Sequence, residues 1–181
     1  MSRPDPDAYF MGIALAVRTR ANCTGRRVGA VIVRDRRILS SGYNGTPSKM
    51  LNCEEGGCHR CAHPRAYAPG EGYDLCICVH AEQNALLAAA RFGVAIEDCT
   101  LYTTLQPCFG CLKEILQANV REVCYLQTWE SRFAEQYAAL VDRLGRERFR
   151  QVVIPDPDAQ WALGRTGVAL ERALGHEVLG D

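Results

Sequence analysis

Apolar residues recur at helical spacing from the start of the chain. Tyr9, Phe10, Ile13, Ala14 and Val17 share one face, behind a Pro4-to-Asp7 stretch suited to a helix start. The period then shortens. "VGAVIVRD" (28–35) and "RILSSGY" (37–43) are apolar, β-branched runs separated by a charged turn, which predicts a hairpin. Residues 44–79 carry no period at all and are rich in Gly, Pro, Cys and His. A structureless stretch of that length inside a compact domain calls for something such as metal to tie it down. From His80 to Phe92 the composition is helical, with Gly93 as a stop. "TLYTT" (100–104) predicts a strand, Cys108 to Ala118 a helix, "REVCYL" (121–126) a strand, and 131–145 and 158–174 two further helices. A hairpin followed by strand–helix–strand predicts an α/β domain with a mixed sheet and helices packed on it. The length of 181 residues fits one domain over 1–181, with 150–181 as a C-terminal extension that carries no readable chemistry.

Composition narrows the function classes. Hydrophobic residues make up 48 % of the chain and charged residues 23 %, with a formal net charge of zero. That disfavours polymeric DNA or RNA as the main ligand, because such proteins carry a basic stripe that displaces counterions. A small anionic substrate needs only one or two local cations. "MSRPDPDAYFMG" lacks a basic-then-apolar leader and no apolar run approaches membrane-spanning length, so the expected location is cytoplasmic, with no membrane partner. Thiols stay reduced there, and ten cysteines, several at short spacing, then point to metal rather than disulfides.

The densest chemistry lies in "CVHAEQNALLAAARFGVAIEDCTLYTTLQPCFGC" (78–111). Cys108 and Cys111 stand three apart at a predicted helix start, where exposed N–H groups and the helix dipole favour thiolate. With His80 they make three protein ligands, the complement of a catalytic zinc, which keeps its fourth position for water. Glu82, two residues from His80, is placed to exchange protons beside the metal without ligating it. A redox pair does not require "HAE" upstream, and a closed structural zinc would need a fourth ligand from elsewhere. His-x-Glu with Pro-Cys-x-x-Cys is the signature of zinc deaminases of nucleobases.

"VGAVIV", "GYNGTPS", "CVHAEQNALL", "TLYTTLQPCFGC" and "EVCYL" occur in the order found in the deoxycytidylate (dCMP) deaminase family, which the chain resembles over residues 8–127. "GYNGTPS" is the narrower clue to the dCMP branch. The resemblance implies the three-layer cytidine-deaminase-like fold, a mixed central β-sheet with helices on both faces. It implies hydrolysis of dCMP to dUMP with release of ammonia. His80, Cys108 and Cys111 would hold zinc and Glu82 would shuttle protons. Asn44 would bond the sugar, or else be a turn residue before Gly45, and the backbone of Ala81 would read the base carbonyl. Many family members are homo-oligomers, and some are activated by dCTP and inhibited by dTTP.

Cys23, Cys53, Cys58, Cys61, Cys76 and Cys78, with His59 and His63, cluster ahead of the catalytic helix. Several dCMP deaminases carry similar positions that hold a second, structural zinc. By that resemblance Cys23, Cys53 and Cys58 are ligands and the fourth is Cys76 or Cys78, with Cys76 taken first and Cys61 and Cys78 in reserve. Eight soft ligands exceed the needs of one tetrahedral zinc. Either some are spare or a third metal is present. Cys99 and Cys124 read as buried apolar residues. Arg26 and Lys49 are the first choices for a substrate phosphate, with Arg27 and Arg65 behind them. Trp129 could lie against the base, whereas Tyr125 reads as core. Two rival functions remain: a deaminase of another base or of single-stranded nucleic acid, and a non-catalytic zinc-stabilised binding module.

Overall fold

The computed structural model describes residues 3–67 and 71–163. Helix α1 (Pro6–Arg18) opens on Asp5, whose side chain accepts from the Ala8 N–H at 2.8 Å, and Pro6 occupies a first-turn position where no N–H is needed. Its buried residues are Phe10, Met11, Ala14 and Arg18. Tyr9, placed on the apolar face by spacing, is instead 53 % exposed and meets Phe10 edge-on.

Strands β1 (Gly29–Arg34) and β2 (Arg37–Tyr43) form the expected hairpin. Asp35 and Arg36 both have positive φ, as a two-residue turn matched to strand twist requires. The stretch 44–79 contains short 3-10 turns and helix α2 (His59–Ala62), and its two ends are joined by a bridge between Gly45 and Val79. Helix α3 (Ala81–Arg91) follows, then β3 (Thr100–Leu105), α4 (Phe109–Gln117), β4 (Glu122–Gln127), α5 (Ala134–Leu144) and β5 (Phe149–Gln151). Of the helix expected at 158–174, the described part is α6 (Gln160–Leu163), and the remainder lies outside the described residues.

The sheet order is β2-β1-β3-β4-β5, antiparallel from β2 to β3 and parallel from β3 to β5. Alternation along the strands serves two cores. Ala30, Ile32 and Leu101 face the layer containing Ala85, Leu112, Ile115 and Tyr137, while Val31, Val33 and Tyr102 face Phe10, Met11 and Ala14 of α1. Helices cover both faces, so the architecture is the three-layer α/β arrangement the resemblance implied.

One close approach sets the position of α3. A Cβ on Gly42 of β2 would lie 2.2 Å from the Ala81 carbonyl oxygen and 2.4 Å from the Ala85 nitrogen. Only glycine lets the first turn of the helix sit that near the sheet.

The described part of the 150–181 extension, which carried no legible chemistry, packs back on the domain. Arg18, its side chain 1 % exposed, donates from both terminal nitrogens to Asp156 at 2.6 and 3.0 Å, and Asp156 also accepts from Gln127 at 3.0 Å. The guanidinium lies over the Trp161 ring, 5.1 Å from its centroid. Asp156→Ala would leave that cation buried without its anion. A loss of about 3 kcal/mol is expected, the lower end for a broken buried pair because the Asp156 backbone is near the surface, and urea unfolding measures it.

Candidate active site

The N-termini of α3 and α4 converge at the carboxyl end of β3. His80 is the residue that caps α3, and its N–H donates to Gln83 Oε1 at 3.0 Å. Gln83 Nε2 donates to Glu114 Oε1 at 2.9 Å, tying the two helices together. Cys108 caps α4 and Cys111 lies in its first turn. His80 Nδ1 is 3.4 Å from Cys108 Sγ and 3.3 Å from Cys111 Sγ. A tetrahedral zinc with ordinary Zn–N and Zn–S bonds would hold such a nitrogen and sulfur about 3.6 Å apart, so this donor set fits the ion. Hydrogen bonds from Cys111 and then His80 lower the Cys108 thiol to about 4, and Cys108 in turn raises His80 to about 9.

Glu82 lies in the first turn of α3 and is 4 % exposed. Burial raises its proton affinity, with the neighbouring His80 partly opposing. Its Oε1 accepts from the Thr103 hydroxyl at 3.2 Å, whereas Oε2 lies on the side of Cys111, 3.6 Å from Sγ. Thr103, fully buried on β3, escaped sequence reasoning. Its one signal was a hydroxyl in a strand buried along its whole length, which tells that a partner exists but not which. Tyr137 was missed as well: its hydroxyl donates to Pro107 O at 2.6 Å and so fixes the segment entering α4.

The other expected residues divide. Ala81 opens α3, where the position leaves its N–H without an intrahelical acceptor. Asn44 is buried, accepting from Val28 N at 2.8 Å and donating to Arg26 O at 2.6 Å, so it braces the loop before β1. The adjoining Gly45 pairs with Val79, one residue before His80. Arg26 is half-buried and Lys49 exposed. Arg27 pairs with Glu54 at 3.6 Å and stacks on Trp161, and Arg65 is exposed on the 44–79 loop. Trp129 packs edge-on against Tyr137, and Tyr125 packs against Phe149.

Residues 4–127 match the sequence profile described as the cytidine and deoxycytidylate deaminase zinc-binding region. The chain belongs to that family. It is 44 % identical over 131 residues to a deoxycytidylate deaminase of Saccharomyces cerevisiae, an alignment covering 71 % of this chain and 40 % of the yeast protein. To the deoxycytidylate deaminase of Mycobacterium phage D29 it is 41 % identical over 128 residues, 69 % of this chain and 97 % of the phage protein. The chain therefore spans less than half of the yeast relative but nearly all of the phage one. Among solved structures, the dCMP deaminase of cyanophage S-TIM5 in complex with dCMP and dUMP superposes with a TM-score of 0.61. The two are 29 % identical, with 85 % of this chain and 100 % of that one covered.

This deaminase-family chain also gathers the remaining clustered cysteines. Cys23, Cys53, Cys61 and Cys78 bring their sulfurs within 4.8 Å of one another, and so do Cys58, Cys61, Cys76 and Cys78. Of the expected ligand set, Cys23 and Cys53 fall in the first group and Cys58 and Cys76 in the second, and the reserve residues Cys61 and Cys78 belong to both. The reason is local geometry, since the turn of α2 brings Cys61 beside Cys58, and the extended 76–78 segment carries Cys78 inward. His59 and His63 stand outside, stacked on each other at the surface. Hydrogen bonding from Cys23 lowers the Cys53 thiol to about 7, while its three cysteine neighbours raise Cys78. Cys99 and Cys124 lie buried in the two main cores, away from these groups.

If His80, Cys108 and Cys111 form one metal site, Cys108→Ala removes one equivalent of zinc per chain. Thr103→Val, which leaves every ligand in place, should retain the full complement. Elemental analysis of the two purified variants against wild type checks both halves.

Proposed function

We propose that the chain is a zinc-dependent deaminase that hydrolyses dCMP to dUMP and ammonia. The observation that carries this is Glu82, a buried carboxylate beside three converging metal-ligating atoms. Zinc held by His80 Nδ1, Cys108 Sγ and Cys111 Sγ supplies, when bound, a Lewis acid that makes water nucleophilic at neutral pH. The two oxygens of Glu82 then have separate tasks. Oε1 is held by Thr103, which orients the carboxylate. Oε2 faces the metal ligands and moves protons, first from the attacking water to N3 of the base, then to the departing amine. The water oxygen ends on C4, the C4–N bond breaks, and ammonia leaves. Burial suits Glu82 to the task by raising its affinity for the proton it carries.

Support for a cytosine nucleotide comes from the deoxycytidylate deaminases among the relatives and from the dCMP and dUMP bound to the cyanophage protein. The Ala81 N–H at the start of α3 is suited to the base carbonyl, and the second N–H of the Asn44 amide to the sugar. Arg26 and Lys49 are assigned to the phosphate, since neither has an ion-pair partner among the described residues. No helix among the described residues is long and apolar enough to cross a membrane, in keeping with a cytoplasmic small-molecule enzyme. Exposed Leu87 and Phe92 on one end of α3 support a homo-oligomer, the setting in which dCTP and dTTP regulation would operate. A zinc-stabilised binding module has no use for a buried, oriented Glu82, and a polymer substrate is disfavoured by the zero net charge.

Glu82→Gln should keep its zinc and lose about 10²–10⁴-fold in kcat, measured as ammonia release from dCMP. Activity within roughly threefold of wild type would remove Glu82 from the mechanism.

Deoxycytidine should be the poorer substrate by about 10²–10⁴ in kcat/KM, since two charge-assisted phosphate contacts of about 1.5–3 kcal/mol each are lost. Arg26→Ala or Lys49→Ala should narrow that gap by acting on dCMP alone. Equal efficiency on the nucleoside would overturn the nucleotide assignment, and higher efficiency on oligonucleotides would move the substrate to polymers.

A further inference from the structure

The six cysteines ahead of α3 are too many for one tetrahedral ion and too close together for six independent thiols. Their two groups of four share Cys61 and Cys78. The sulfur of Cys61 lies 3.9 Å from that of Cys23 in the first group and 3.8 Å from that of Cys76 in the second, and Cys58 lies 3.7 Å from Cys76. A disulfide would need about 2.05 Å. Sulfurs at the corners of a tetrahedron centred on zinc, with bonds of about 2.3 Å, stand about 3.8 Å apart. The observed edges have that length in both groups.

We infer that the six cysteines form a dinuclear thiolate centre for two zinc ions, in which Cys61 and Cys78 bridge. Cys23 and Cys53 complete one tetrahedron, and Cys58 and Cys76 complete the other. Charge favours the second ion. One divalent ion on four thiolates carries two negative charges, and two ions on six thiolates carry the same, so the second ion enters without adding net charge to the buried cluster. It also replaces the thiol protons of Cys58, fully buried, and Cys76, which a single ion in the first group would leave unused. An all-sulfur tetrahedral environment selects zinc over magnesium or calcium. The Thr24 N–H, donating to Cys53 Sγ at 3.4 Å, supports the negative charge of a terminal sulfur.

This centre is independent of the deaminase reading, and the test keeps the two apart. Native mass spectrometry is applied to the full chain with zinc, in wild type and in a Cys108→Ala/Cys111→Ala variant that lacks the catalytic ligands. The variant should retain two zinc ions, and wild type should hold three. One ion in the variant overturns the dinuclear centre. Two ions in both proteins would instead count against the catalytic zinc alone. Adding Cys76→Ser should lower the count of the variant by one. For the bridge itself, wild-type protein loaded with cadmium-113 should give two sulfur-ligated signals coupled to each other through the shared sulfurs. This measurement needs no substitution in the cluster. Two uncoupled signals overturn the bridging assignment, and so does iron with inorganic sulfide in place of zinc.

Discussion

Two helix N-termini have to meet at one point for three soft donor atoms and a buried carboxylate to lie together in this chain. His80 and Cys108 cap their helices and Cys111 lies in a first turn, so all three donors ride on backbone whose direction is set by the sheet. The positive ends of the helix dipoles converge where thiolate charge develops. Neither helix could be placed freely. Helix α4 is the crossover between parallel β3 and β4, and α3 is pressed onto β2 at Gly42, where no side chain could intervene. The Gln83–Glu114 hydrogen bond then locks one helix start against the other. Sites on such elements keep their geometry better than sites on loops.

Most of that framework was legible along the chain. The hairpin, the strands at 100 and 121, and the helices behind them followed from period and composition, because each is long enough to show its own pattern. Strand β5 did not, since the three residues of Phe149–Gln151 include an Arg and a Gln and span too little to alternate. His80, Glu82, Cys108 and Cys111 were legible because their spacings are short and chemically specific. Thr103 was not, because its strand is buried throughout and its partner is 21 residues away. The cysteine cluster shows the boundary well. That these thiols gather was visible from their number, but which sulfurs group together depends on how three separate loops close in space.

The irregular 44–79 region thereby acquires a structural task. It leaves the sheet at Asn44, passes through five cysteines, and returns by way of Val79, which bridges Gly45. Only Val79 separates Cys78 of the cluster from His80 of the candidate site. The two main apolar cores do not reach this far, and the buried side chains here are those of the clustered cysteines. The loop that supplies Asn44 and the turn that supplies His80 are held at fixed separation by the same closure.

The buried Arg18–Asp156 pair has a bearing on where this molecule can be cut. Similarity to the family profile stops at residue 127, yet Asp156 lies well past it and answers a cation on the first helix. A fragment ending where the profile match ends would keep Arg18 in a site shaped to exclude water and take away its only acidic neighbour in an ion pair among the described residues. It would also strip β4 of β5 and bare a strand edge to aggregation. The stretch that the profile matches and the unit that packs together have different ends here.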